Sequence, residues 1–391
     1  MFPIFLITFV DLVGFGLLIP LLPFIVQRTG ASMEVITIVL GLYSLVQFLA
    51  APIWGRISDK WGRKPVLVIT SYGLALSYVI VAYAQSLEML IVSRVVGGIM
   101  AANIGAAQAY MADITTPENR SKGMGVLGAA FGLGFILGPA IGGVLGGNDA
   151  ATADFFVPSM VAAGITVAAA LGAQFFLKES LSPEIRAKLA LRPPEKLIDK
   201  IRAGLSRGTL VMLILCAFLT ITAWAQFETL FAFWADARLS YGPRDIGLLL
   251  TFIGMISALV QGGAIGRLTK MFGERRLVLA AMMLTFAGFI TFTFAHNLSI
   301  TLVACALLSL GSGLFNPSIS SLISQQAAET ERGAVMGTFQ SATALSRIVG
   351  PAFSGLVFAS LGADAPFLIA AALIVPAFLL VLFLPQSAPA R

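Results

Sequence analysis

Twelve apolar runs separated by short connections dominate this sequence and leave it few ways to fold. They fall near 3–26, 34–54, 66–84, 88–112, 123–146, 155–177, 208–234, 245–265, 277–295, 299–324, 334–358 and 365–384. Each is long enough to cross the ~30 Å hydrocarbon core of a bilayer as a helix. Inside that core every backbone N–H and C=O must find a partner within the chain, so only helices and closed barrels are allowed. Barrel strands need only ~10 residues, about half the length of these runs. Hydrophobic residues make up 58% of the 391, too many for a water-soluble domain to cover with polar side chains. The expected fold class is all-α and polytopic, with twelve transmembrane helices and the lipid bilayer as solvent.

The net charge of +6 belongs to membrane orientation rather than to nucleic acid. Of the 25 Lys and Arg, Arg28, Arg238 and Arg244 fall on one side, Arg94 and Arg347 lie inside runs, and the other 20 fall on the side holding both termini. Basic loops stay cytoplasmic, so both termini are expected in the cytoplasm and the chain in the inner membrane. Residues 178–207 form the one long connection and divide the runs six and six, giving expected bundles at 1–177 and 208–391. After Pro194, Leu197, Ile198, Ile201 and Leu205 recur at helical spacing, with Lys196, Lys200 and Arg202 elsewhere on the wheel. That pattern predicts an amphipathic helix on the membrane surface. Cys216 and Cys305 sit in apolar runs and imply neither a disulfide framework nor a metal site. Met1 leads into the first run without a basic n-region, so no removable leader is expected.

The two halves repeat. Ile136-Leu137-Gly138-Pro139-Ala140-Ile141-Gly142-Gly143 matches Ile348-Val349-Gly350-Pro351-Ala352-Phe353-Ser354-Gly355 at an offset of 212, which also takes Arg120 to Arg332. An offset of 211 takes Gly55-Arg56 to Gly266-Arg267 and Gly62 to Gly273. A constant offset over separated regions marks an internal duplication, hence two six-helix repeats in the same orientation. Lys270 stands in the second copy where Asp59 stands in the first.

The connection after the second run, Gly55-Arg56-Ile57-Ser58-Asp59-Lys60-Trp61-Gly62-Arg63-Lys64, packs five charges into ten residues of a chain only 11% charged. It is expected to be a short loop hinged by glycines, with another helix approaching Gly55 closely. Asp59 is expected against the positive end of a neighbouring helix, and Arg63 and Lys64 among the headgroups. The spacing G-x-x-x-D-x-x-G-R-K resembles the signature between helices 2 and 3 of the major facilitator superfamily of transporters. The segment Asp113-Ile114-Thr115-Thr116-Pro117-Glu118-Asn119-Arg120 is similar to the tetracycline-efflux branch of that family. These resemblances imply the major facilitator fold, and a cytoplasmic gate of Gly55, Asp59, Arg63 and Asp113 that latches the halves in one conformation. The string Gly134-x-x-x-Gly138-Pro139-x-x-Gly142-Gly143 resembles the family's antiporter motif, which favours export over uptake.

Four ionisable residues lie inside runs, away from their ends: Asp11, Arg94, Glu228 and Arg347. Charges there cost ~2.5–3.5 kcal/mol each on insertion scales and face a partner or a wet cavity. The pattern Asp11-x-x-x-x-Gly16-x-x-x-Pro20-x-x-Pro23 resembles the first helix of drug:proton antiporters, and Arg94 resembles the family's helix-4 arginine. The resemblance implies that Asp11 and Arg94 couple transport to protons. Their depths differ by about 9 Å at 1.5 Å per residue, so no direct salt bridge is expected. Trp224, Glu228 and Phe231 recur at i, i+4 and i+7, and Gln340 and Arg347 share a face in run eleven. With Phe15, one turn from Asp11, they are the candidate substrate contacts, in a cavity shared between the halves near the midplane. Run nine lacks the acid that tetracycline exporters share, which argues against tetracycline itself. His296, in a predicted outer loop, is given no proton role.

No phosphate-binding loop, nucleophile elbow or metal constellation appears, so no enzyme and no cofactor is expected. The leading expectation is a monomeric secondary exporter exchanging protons for an amphipathic small molecule. A carrier of lipids or metabolites, and a non-transporting receptor on a transporter scaffold, remain as alternatives.

Overall fold

The computed structural model describes residues 2–116, 119–149, 152–181, 208–326 and 332–384. The helices are α1 (Phe2–Leu18), α2 (Leu22–Gln27), α3 (Met33–Trp61), α4 (Arg63–Ala82), α5 (Leu87–Met100), α6 (Ile104–Asp113), α7 (Arg120–Gly146), α8 (Phe156–Phe176), α9 (Gly208–Leu239), α10 (Pro243–Leu259), α11 (Ile265–Phe272), α12 (Glu274–Thr293), α13 (Leu298–Gln326), α14 (Arg332–Leu361) and α15 (Ala365–Leu382). Among the described residues, eleven helices are long and apolar enough to cross a membrane, and α1 is a shorter apolar helix. Several spans are composite. The first run breaks after Leu18 where Pro20 interrupts it, α5 and α6 join through a 3₁₀ turn at Ala101–Asn103, and α10 and α11 join through a π turn at Val260–Ala264. The surface helix expected in the linker lies outside the described residues.

The chain divides into one compact unit of Met1–Pro193 with Ala235–Gly254, and a second of Pro194–Trp234 with Met255–Arg391. In the first, Ile4 and Ile7 of α1 pack with Val66, Leu67, Ala107, Tyr110, Met111 and Leu127. The core of the second is aromatic: Phe227, Phe231, Trp234, Phe292 and Phe367 form a continuous set of ring contacts, with Phe292 and Phe367 stacked at 5.3 Å. The Trp234 indole N–H donates to Asp364 at 3.1 Å and fixes one edge of that cluster. Large apolar side chains such as Leu49, Ile53, Val144 and Phe353 remain outward-facing, as expected where lipid rather than water covers the surface.

The charged stretch after the second run is not a loop. Helix α3 continues through Gly55 to Trp61, and only Gly62 leaves the helix, at φ 112°, before α4 begins at Arg63. The Asp59–Arg63 pair joins the two helix ends across that turn, and Gly62 supplies a backbone conformation that a side chain would strain. Gly273 makes the same turn at φ 76° between α11 and α12.

Candidate functional site

Around Asp11 the first unit builds a polar centre from three spans. The Asn103 amide N–H donates to Asp11 Oδ2 at 3.1 Å and also reaches Thr70 Oγ1 at 3.1 Å, while the Ser71 hydroxyl lies 3.5 Å from Asp11 Oδ1. Asn103 occupies the last position of the 3₁₀ turn, which locally rewinds the α5–α6 span. Arg94 is 3% exposed, with its guanidinium 5.6 Å from the Tyr43 ring centre and its Nε 3.4 Å from Ser93 Oγ. Among the described residues no ion pair joins Arg94 to Asp11. Tyr43 and Tyr78 are the titratable groups within electrostatic reach of both. Phe15, one turn from Asp11, packs on Tyr43 at 5.3 Å and on Phe135 at 6.2 Å. Sequence reasoning missed Asn103, Ser71, Tyr43 and Tyr78. A neutral polar side chain inside an apolar span is the one signal they offered, and it is a weak one.

A second polar cluster closes one end of the same unit. Arg63 is 6% exposed and binds Asp59 at 2.6 Å, Asp113 at 3.3 Å and the Ser58 hydroxyl at 2.9 Å. This corrects the headgroup location expected for Arg63: burial is tolerable because two carboxylates and a hydroxyl compensate its charge. The carboxylate on a helix N-terminus is Glu179, not Asp59. Glu179 accepts from the backbone N–H groups of Arg63 (2.9 Å) and Lys64 (3.2 Å) at the start of α4, and from those of Ser180 and Leu181. Ser180 Oγ in turn donates to Asp113 at 2.9 Å, and the Tyr110 hydroxyl donates to the Lys178 carbonyl. Among the described residues no atom approaches within 4 Å of where a Cβ at Gly55 would stand.

The glycine string on α7 has two faces. A Cβ at Gly138 would stand 2.8 Å from Gly16 Cα and Val13 O of α1, and one at Gly142 would run into the backbone of Leu17. Pro139 Cδ would be 3.0 Å from a Cβ at Gly16, and Gly134 lies against Leu12. A Cβ at Gly143 would face α10 within the same unit, 2.9 Å from Gly247 Cα. The small side chains thus set backbone-to-backbone contact distances.

In the second unit, Arg347 stands at the middle of α14 and reaches across to Glu228 of α9, Nη1 to Oε2 at 3.2 Å. Trp224 is half-buried against Phe227 and Phe289, and Gln340 is exposed. Phe231 is 1% exposed inside the aromatic core. Three residues rotate a helix by ~300°, so Phe231 lies ~60° around the axis from Glu228, and the edge of the core passes between them.

The family model described as Major Facilitator Superfamily matches residues 4–265 and 237–391. Multidrug resistance protein 2 of Bacillus subtilis is 30% identical over 364 residues, covering 93% of this chain and 89% of that protein. Tetracycline resistance protein, class C, of Escherichia coli is 32% identical over 355 residues, covering 90% and 87%. The crystal structure of the human organic anion transporter MFSD10 (TETRAN) superposes with a TM-score of 0.73 at 27% identity, covering 97% of this chain and 98% of that one. The chain belongs to the Major Facilitator Superfamily: it is a multi-pass membrane transporter of small molecules and not an enzyme.

Proposed function

We propose that this transporter is a secondary exporter of amphipathic small molecules, driven by proton antiport through alternating access. The observation that carries this reading is Asp11, a carboxyl group inside a span whose partners are an amide and a hydroxyl rather than a cation. Such a group gains and loses a proton without breaking an ion pair. Phe15, one turn away, puts an aromatic surface beside the proton site, so that substrate and proton influence each other through one helix. In this reading Arg94 is the second coupling group, and Arg63 with Asp59 and Asp113 latches the cytoplasmic end. The protein works as a monomer in the inner membrane with both termini in the cytoplasm. The names carried by the Bacillus subtilis and Escherichia coli relatives support drug export.

Asp11→Asn removes the titrating group and keeps its shape. In proteoliposomes, pH-gradient-driven transport by this variant is expected to disappear while substrate exchange without a gradient persists. Full gradient-driven transport by Asp11→Asn rules out the proton role. A second reading, export of organic anions, draws on the human relative's name and on the cation at the centre of α14.

A further inference from the structure

Glu228 and Arg347 make an ion pair of a different kind from the one at Arg63. Arg63 is 8% exposed over its side chain and its charge is met by two carboxylates and a hydroxyl. Glu228 and Arg347 are 45% and 42% exposed and share a single contact at 3.2 Å among the described residues. A guanidinium carries five N–H donors, and only one of them, on Nη1, is engaged by Glu228 among the described residues, so Arg347 can take a further partner. Both residues lie inside membrane spans, where an open charge is retained only against a partner, water or a ligand. On the same helices, Trp224 stands one turn before Glu228, and Gln340 stands two turns before Arg347 as an exposed amide.

We propose that Glu228 and Arg347 form the charge-reading element of the substrate site, and that the preferred substrates are zwitterionic amphiphiles. The proposal rests on the reading of this chain as a small-molecule transporter, but not on the direction of transport or on protons. A lone cation on the free oxygen of Glu228 sets a second positive charge beside the Arg347 guanidinium. A lone anion on the free donors of Arg347 likewise sets a second negative charge beside Glu228. Either like-charge approach is unfavourable inside a membrane span. A ligand carrying both charges replaces both halves of the contact at once, its cationic group on Glu228 and its anionic group on Arg347. Its apolar body then has the Trp224 ring beside it.

The test uses three fluorescent probes with one aromatic body: dansylcadaverine (cation), dansylglycine (anion) and Nε-dansyl-lysine (zwitterion). Binding and exchange are measured on the full chain in proteoliposomes at one pH with no gradient, and thermal unfolding of every variant is recorded. The wild type is expected to prefer dansyl-lysine by about tenfold over either singly charged probe. Glu228→Gln should remove that preference and strengthen dansylglycine several-fold, and Arg347→Gln should do the same for dansylcadaverine. The exchanged pair Glu228→Arg with Arg347→Glu should restore the preference for the zwitterion. Failure of the wild type to bind dansyl-lysine, or equal binding of all three probes, overturns the substrate class. If the single variants weaken all three probes in parallel with a lower melting temperature, the pair is a structural bracket between α9 and α14. Because no gradient is used, these outcomes are independent of the Asp11→Asn experiment.

Discussion

A carboxylate inside a membrane span is held by what surrounds it, and for Asp11 that is mainly Asn103. A hydrogen bond to a charged group contributes ~1.5–3 kcal/mol. Asn103→Leu is therefore expected to lower gradient-driven transport at least tenfold while leaving gradient-free exchange largely intact, as measured in proteoliposomes. A parallel loss of both would mean that Asn103 only holds the helices together. The Asp11–Asn103 contact spans 92 positions of sequence, and it depends on a 3₁₀ turn that no propensity announces. Asp11, Arg94, Glu228 and Arg347 were legible because ionisable groups stand out in apolar runs. Asn103 was not, because a single amide among alanines carries little signal. The burial of Phe231 was hidden for another reason: helical spacing places residues on a wheel without saying where the core begins.

The helices themselves were largely readable from hydropathy, and their ends were not. The charges of the Gly55–Lys64 stretch read as a loop, whereas Arg56, Asp59 and Lys60 lie on the last two turns of α3, Gly62 makes the bend, and Arg63 and Lys64 open α4. Glu179 was invisible because its four N–H partners depend on how the chain after α8 folds back against α4. Removing its charge with Glu179→Gln should cost about 1 kcal/mol, the usual value of a charged cap at a helix start, read as a lower midpoint of thermal unfolding. The glycines of α7 allow a sharper comparison. Gly142→Ala would drive a methyl group into the Leu17 backbone and is expected to destabilise by ~1–3 kcal/mol. Gly132→Ala, on the same helix, meets nothing within 4 Å among the described residues and should be neutral or slightly stabilising. Equal melting temperatures for the two variants would show that the α1–α7 contact has more slack than its geometry implies.

For the molecule as a whole, the duplication and the charge bias were plain in the sequence. Both cysteines are fully buried, so an introduced cysteine should be the one thiol that a membrane-impermeant maleimide reaches quickly. With cysteines placed at Lys60 and at Asn297, labelling from outside intact cells is expected at Asn297 and not at Lys60; the reverse pattern refutes the proposed orientation. In the same background, Arg63→Ala should change the labelling rate of cysteines along α1 by shifting the balance between conformations, with substrate affinity little altered. Unchanged rates would remove the latch. The two turns at Gly62 and Gly273 have one further implication, for evolvability. Since duplication the copies have kept the left-handed glycine while exchanging the acid at Asp59 for Lys270, so the bend has been held where the charge has drifted. In a saturation library these two glycines should tolerate almost nothing, while positions 267 to 271 accept many residues. Polarity at that end of the second repeat is then a free variable that later selection can retune without rebuilding the scaffold.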